Sequence, residues 1–150
     1  MKKISFLYYG PTNFTRWLIC ARLSSLFSHC AIVFEDDVYQ ASMLTGITKG
    51  KLADNSDYSV KQTIIVSEEQ YTRAKVLAKN LVGKSYDFKA LIGFIAGVKL
   101  QTSDNWFCSE YGRAIFETAT DVKVPLFNLL TPGQLRLVIE TYLITSKIDR

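Results

Sequence analysis

Cys108 and His29, the only histidine among 150 residues, are far apart in the chain but carry side chains that together could do nucleophilic chemistry. Cys108 stands in Trp106-Phe107-Cys108-Ser109-Glu110-Tyr111, where the pattern predicts a helix start with Ser103, Asp104 or Asn105 available as its cap. A cysteine in a first helical turn lies among backbone N–H groups with no partner inside the helix, at the positive end of the helix dipole. Both effects favour thiolate over thiol and raise nucleophilicity at neutral pH. The same N–H groups, that of Cys108 included, would stabilise the oxyanion formed when the sulfur attacks a carbonyl. His29 is the candidate base that takes the thiol proton and, as acid, returns it to the leaving group. An imidazole used in this way needs a partner to fix its tautomer and hold its ring. Gln40 is that candidate, on the strand returning from the short acidic turn at Asp36-Asp37, while Glu35 is nearer but sits at the turn itself.

These residues need elements to carry them. Residues 3–9 alternate as a first strand, and Thr12 or Asn13 can cap a helix running through Trp17, Leu18, Ala21, Arg22 and Ser25 to an end near Leu26. Residues 28–34 form an apolar, β-like run, and residues 38–42 return as its hairpin partner. Another strand is expected at about 58–66. Ser67-Glu68-Glu69-Gln70 then has the form of a capping box opening a helix with Tyr71, Ala74, Ala78 and Leu81 at helical spacing, stopped by Gly83. The apolar segment 90–98 reads as a short buried helix. The Cys108 helix would pack through Phe107, Tyr111, Ile115 and Thr118. Pro125 ends the extended piece that follows, and Thr131-Pro132 opens a last helix with proline at its first position. Strands followed mostly by helices give the α+β class, with a small antiparallel sheet packed against helices.

Bulk properties bound the function. With 48% hydrophobic and 21% charged residues, the chain 1–150 has enough apolar content for one domain with its own core. Its 18 Lys and Arg against 14 Asp and Glu give a net charge of +4, but the basic residues are scattered, which argues against a nucleic-acid partner. The start, Met1-Lys2-Lys3 followed by an alternating apolar stretch stopped at Gly10-Pro11, reads as a strand rather than an export signal. No apolar run approaches the roughly 20 residues needed to span a bilayer. Three dispersed cysteines suit neither a disulfide framework nor a metal site, so the expectation is a reducing compartment such as the cytoplasm, with no metal or other cofactor. Cys20 and Cys30 sit in apolar contexts without a capping signal and read as inert packing residues. Cys30 alternates to the face opposite His29.

In this order the segments resemble the circularly permuted branch of the NlpC-type papain-like cysteine peptidases and amidases, which includes the YiiX-like proteins. Ser28-His29-Cys30-Ala31-Ile32-Val33 resembles the family's Ser-His strand, and Val38-Tyr39-Gln40-Ala41 the strand bearing its third polar residue. Thr45-Gly46-Ile47 through Leu52 is similar to the Gly-Val segment, Gly83-Lys84-Ser85-Tyr86-Asp87 to the Gly-x-x-Tyr-Asp element, and Phe107-Cys108-Ser109-Glu110 to the Cys-Ser-Glu nucleophile motif. Thr131-Pro132 matches the late Thr/Ser-Pro. The resemblance implies a permuted papain-like fold in which Cys108 is the nucleophile, His29 the base and then acid, and Gln40 the orienting residue. Many members carry glutamate or a second histidine at position 40, where glutamine orients an imidazole without balancing its charge. The expected reaction is amide hydrolysis of a peptide or peptidoglycan stem peptide through a Cys108 thioester, with Trp106, Tyr86 and Tyr9 as cleft walls. Lipid-acting cousins carry an Asn-Cys-Glu-His motif that Cys108-Ser109-Glu110-Tyr111 does not match. A thioesterase or acyltransferase acting on acyl lipids, or a binding or effector protein with an unused cysteine, are the alternatives.

Overall fold

Alternating apolar residues and well-capped helix starts set the architecture. The computed structural model describes residues 1–42, 44–85, 106–125 and 130–148. Within them lie five strands, β1 (Lys2–Tyr9), β2 (His29–Phe34), β3 (Asp37–Ser42), β4 (Gly46–Lys51) and β5 (Val60–Val66). They form one antiparallel sheet in the order β4-β3-β2-β1-β5. The helices are α1 (Phe14–Leu23), α2 (Glu68–Asn80), α3 (Cys108–Thr120) and α4 (Pro132–Ile148), and a single 3-10 turn, Leu52–Asn55, follows β4. The class is α+β, as expected. Among the described residues no helix is long and apolar enough to cross a membrane.

The period of two divides the sheet into a large face and a small one. Ile4, Phe6 and Tyr8 of β1, Cys30, Ile32 and Phe34 of β2, and Ile64 and Val66 of β5 face the helices and form the main core with Tyr111, Ile115 and Phe116 of α3. Phe6 meets Phe116 edge to face at 6.3 Å, and the Tyr111 hydroxyl donates to the carbonyl of Ala78, tying α3 to α2. Leu7, Tyr9, Ala31, Val33 and Val38 make a smaller cluster on the other face.

Helix starts follow the side-chain chemistry. Asn13 accepts from the Arg16 N–H, the reciprocal bonds of Ser67 and Gln70 open α2, and those of Thr131 and Gln134 open α4. α3 differs from expectation. Its N-cap is Phe107 in extended conformation, so Cys108 is its first helical residue, and the Phe107 N–H donates to the Glu110 carboxylate at 3.3 Å. Its buried side is Cys108, Ser109, Tyr111, Gly112, Ile115, Phe116 and Ala119, whereas Thr118 is only half-buried. The earlier cap candidates at 103–105, the expected helix at 90–98 and Tyr86 lie outside the described residues.

Two further differences concern the β2–β3–β4 meander. The hairpin turn is Glu35-Asp36, with Glu35 at φ 57°, while Asp37 pairs with Phe34 inside the sheet. Asp37 belongs to the strand because Lys49 and Lys51 of β4 reach it at 2.8 and 2.7 Å and hold its carboxyl down at about 2. β4 itself was not expected as a strand. Two glycines and two lysines in Gly46-Ile47-Thr48-Lys49-Gly50-Lys51 hide the apolar alternation, and charged edge positions tolerate that composition.

Candidate active site

His29 opens β2 and is paired in register with Tyr9 of β1, which places its imidazole on the small-cluster face against the Tyr9 ring, centroids 5.5 Å apart. Its Nε2 lies 2.9 Å from Gln40 Oε1. Gln40 sits opposite Ala31 on β3, two residues along from His29 on the neighbouring strand, so the two long side chains meet diagonally on one face. Beyond it, Gln40 Nε2 donates to Asn55 Oδ1 at 3.2 Å, and Asn55 Nδ2 donates to the Lys51 carbonyl at 2.8 Å. The direction of this relay is set from its far end, since a backbone carbonyl can only accept. Asn55 must therefore present its oxygen to Gln40, and Gln40 its oxygen to His29. Nε2 of the neutral ring carries the proton, leaving Nδ1 as the basic nitrogen.

Cys108 reaches the same corner from the helix side. It is 5% exposed, and the Cys30 side chain, His29 and the Cys30 backbone N–H all lie close enough to act electrostatically on its thiol. The Cys30 thiol, acting against the cost of burial and helped by His29 and the Cys30 N–H, holds Cys108 well below the ordinary thiol value. Cys30 shifts the opposite way, raised by its bond to Cys108, by burial and by the neighbouring charge. For His29, burial lowers the pKa, but the Cys108 thiolate and the Gln40 acceptor outweigh it, and the net shift is upward. Together these shifts favour a thiolate–imidazolium pair.

The expectation of an inert Cys30 rests on its apolar context without a capping signal and on its alternation away from His29. The alternation holds, but α3 packs on the face to which Cys30 turns. Alternation thus puts Cys30 beside Cys108 while His29 reaches the sulfur from the end of the strand. The sequence does not single out Asn55, since nothing in Leu52-Ala53-Asp54-Asn55 beyond a turn signal marks it. Its carbonyl additionally accepts from the Tyr9 hydroxyl at 3.2 Å.

Backbone pairing sets the start of α3. The Gly83 N–H donates to the Ile47 carbonyl and the Ile47 N–H to the Lys84 carbonyl, both at 2.9 Å, and the Trp106 N–H then donates to the Ser85 carbonyl at 3.1 Å. β4, the segment after α2 and the approach to Cys108 are thereby laid side by side. From the other flank, the buried Ser109 hydroxyl donates to the Leu130 carbonyl just before α4. Trp106 is half-buried against the main core next to Cys108, Tyr9 is 5% exposed with its ring given to His29, and Tyr86 is outside the described residues. Glu35, at the turn, pairs with Lys75 of α2 at 3.2 Å. All three cysteines are free thiols, and among the described residues no three His, Cys, Asp or Glu side chains gather as a metal-ligand set. No protein-family model matches the chain, and no curated protein matches it either.

Proposed function

We propose that the chain is a cysteine hydrolase of the permuted papain-like kind, cleaving an amide bond in a peptide or peptidoglycan stem peptide. The observation that carries this reading is a buried cysteine that opens a helix beside an imidazole held by Gln40 at 2.9 Å, with that imidazole and Cys30 both acting on the sulfur. In the reaction, the Cys108 thiolate attacks the amide carbon and the carbonyl oxygen becomes an oxyanion facing the Cys108 N–H at the helix start. Collapse breaks the C–N bond, and the amine leaves with the proton held by His29. His29, now neutral, takes a proton from water as the water attacks the thioester. Release of the acid restores the thiolate and the imidazolium. Gln40 keeps the ring in the tautomer whose free nitrogen faces the sulfur.

The pH dependence follows from the two shifts. Below the lowered Cys108 pKa the sulfur is protonated and inert, so activity rises as pH passes up through that value. Above the raised His29 pKa the imidazole has no proton for the leaving amine, and activity falls, giving a bell. The first test is the rate of iodoacetamide alkylation against pH, with the labelled residue located by mass spectrometry. Cys108 should alkylate with a midpoint far below the ordinary thiol value, and a midpoint at that value rejects the proposal. The second test is incubation with peptidoglycan fragments, where cleavage should be lost in Cys108→Ala. Cleavage left unchanged by that substitution refutes the assignment.

A further inference from the structure

Two of the three thiols come together where β2 packs on α3, and the hydrolase reaction uses only one of them. A Cβ on Gly112 would stand 3.6 Å from Cys30 Sγ, and Gly112 lies one turn after Cys108 on the same buried side of α3. Helical side chains lean toward the N-terminus, so the space over Gly112 is the space beside Cys108. With no side chain at position 112, strand and helix approach closely there, as a disulfide between them requires. Cys30 and Cys108 also act on each other electrostatically, which agrees with this placement. The third thiol, Cys20, lies on α1, where Ser28 acts on it.

The two sulfurs are unequal in the way that an oxidation site uses. Cys108 is held toward thiolate, the form that attacks a peroxide, whereas Cys30 is fully buried and held as a thiol, inert until a reactive sulfur forms beside it. Hydrogen peroxide is also smaller than the amide that the site is proposed to admit. The Cys108 sulfur attacks one peroxide oxygen, the O–O bond breaks, and Cys108 becomes a sulfenic acid. The released hydroxide takes the imidazolium proton of His29 and leaves as water. Cys30 then attacks the sulfenic sulfur, the S–S bond forms as the S–O bond breaks, and the hydroxide leaves with the Cys30 proton as a second water. Two electrons have passed from the sulfurs to the peroxide. Only the folded chain selects this pair, because loop closure alone favours Cys20 with Cys30, the two nearest in sequence.

We propose that Cys108 and Cys30 are an oxidative modification site, at which hydrogen peroxide joins the two thiols in a disulfide that closes the candidate active site until a dithiol reduces it. The effect on cleavage rests on the hydrolase reading, whereas formation of the bond does not. The test is peroxide treatment of the full, folded chain, then maleimide blocking and peptide mapping by mass spectrometry without reduction. Cys30 and Cys108 should be recovered as one linked pair and Cys20 as a blocked thiol, and dithiothreitol should release the pair. Any cleavage of peptidoglycan fragments should disappear with the linked pair and return with dithiothreitol. In Cys30→Ala, dimedone should trap Cys108 as the sulfenic acid, which the wild type should pass through without accumulating. A wild-type Cys108 that carries dimedone or a sulfinic acid while Cys30 is still blockable overturns the proposal. So does a disulfide to Cys20 or between chains, or a Cys108 left unoxidised. Cleavage by the reduced chain separates the two readings. A linked pair in a chain that cleaves nothing keeps the modification site and rejects the hydrolase, and cleavage by a chain that forms no pair does the reverse.

Discussion

At the scale of single residues, the candidate site works with a neutral orienting group. Gln40 fixes the His29 ring through one 2.9 Å contact and is itself fixed by Asn55, so orientation passes along a relay in which no member is charged. Gln40→Ala should reduce kcat on the order of 10²-fold with little change in KM, since a misaligned catalytic group costs about that much. Gln40→Glu should keep the alignment and add a negative charge that favours the imidazolium. The alkaline limb of the pH profile should therefore move upward, and an unmoved limb would mean that Gln40 does not act on His29. Cys30 acts on Cys108 from the other side. In Cys30→Ala the sulfur keeps the backbone N–H but loses the thiol donor, and the alkylation midpoint of Cys108 should rise. The roles of Cys108, His29 and Gln40 could be read as candidates from residue type and spacing. Cys30 could not, because alternation says which way a side chain turns but not what arrives on that face.

At the scale of elements, β4 and the segment after α2 position the nucleophile helix through three backbone hydrogen bonds. Gly46 begins β4 at φ 71°, and a Cβ there would overlap the Lys84 carbonyl oxygen, the acceptor of the Ile47 N–H. Gly46→Ala should destabilise the protein by about 1–3 kcal/mol, read as a lower urea midpoint at unchanged slope. It should also slow Cys108 alkylation at pH 6, because the approach to α3 hangs on the same pairing. The capping boxes of α2 and α4 were legible because their bonds are local. β4 was not, since its strand character comes from pairing with β3 rather than from its own composition.

At the scale of the whole molecule, one core joins the sheet to α2, α3 and α4, with Phe6, Phe116 and Tyr142 in edge-to-face series across it. Phe6 is fully buried at the centre of β1, so Phe6→Ala should cost about 3–5 kcal/mol, a large part of the roughly 5–15 kcal/mol of a typical domain. Circular dichroism and the reactivity of the buried Cys30 thiol should then report the same, lowered denaturation midpoint, and separated midpoints would show that the layers unfold independently. The sequence by itself determined the α+β class and the main strands and capped helices, because periodicity and capping act within a few residues along the chain, and it offered Cys108, His29 and Gln40 as candidates for the proposed chemistry. The tertiary structure alone decided the Cys30 contact, the Asn55 relay and the edge strand β4. Each of these depends on which surface a distant segment covers, and that is settled by the packing of the whole chain.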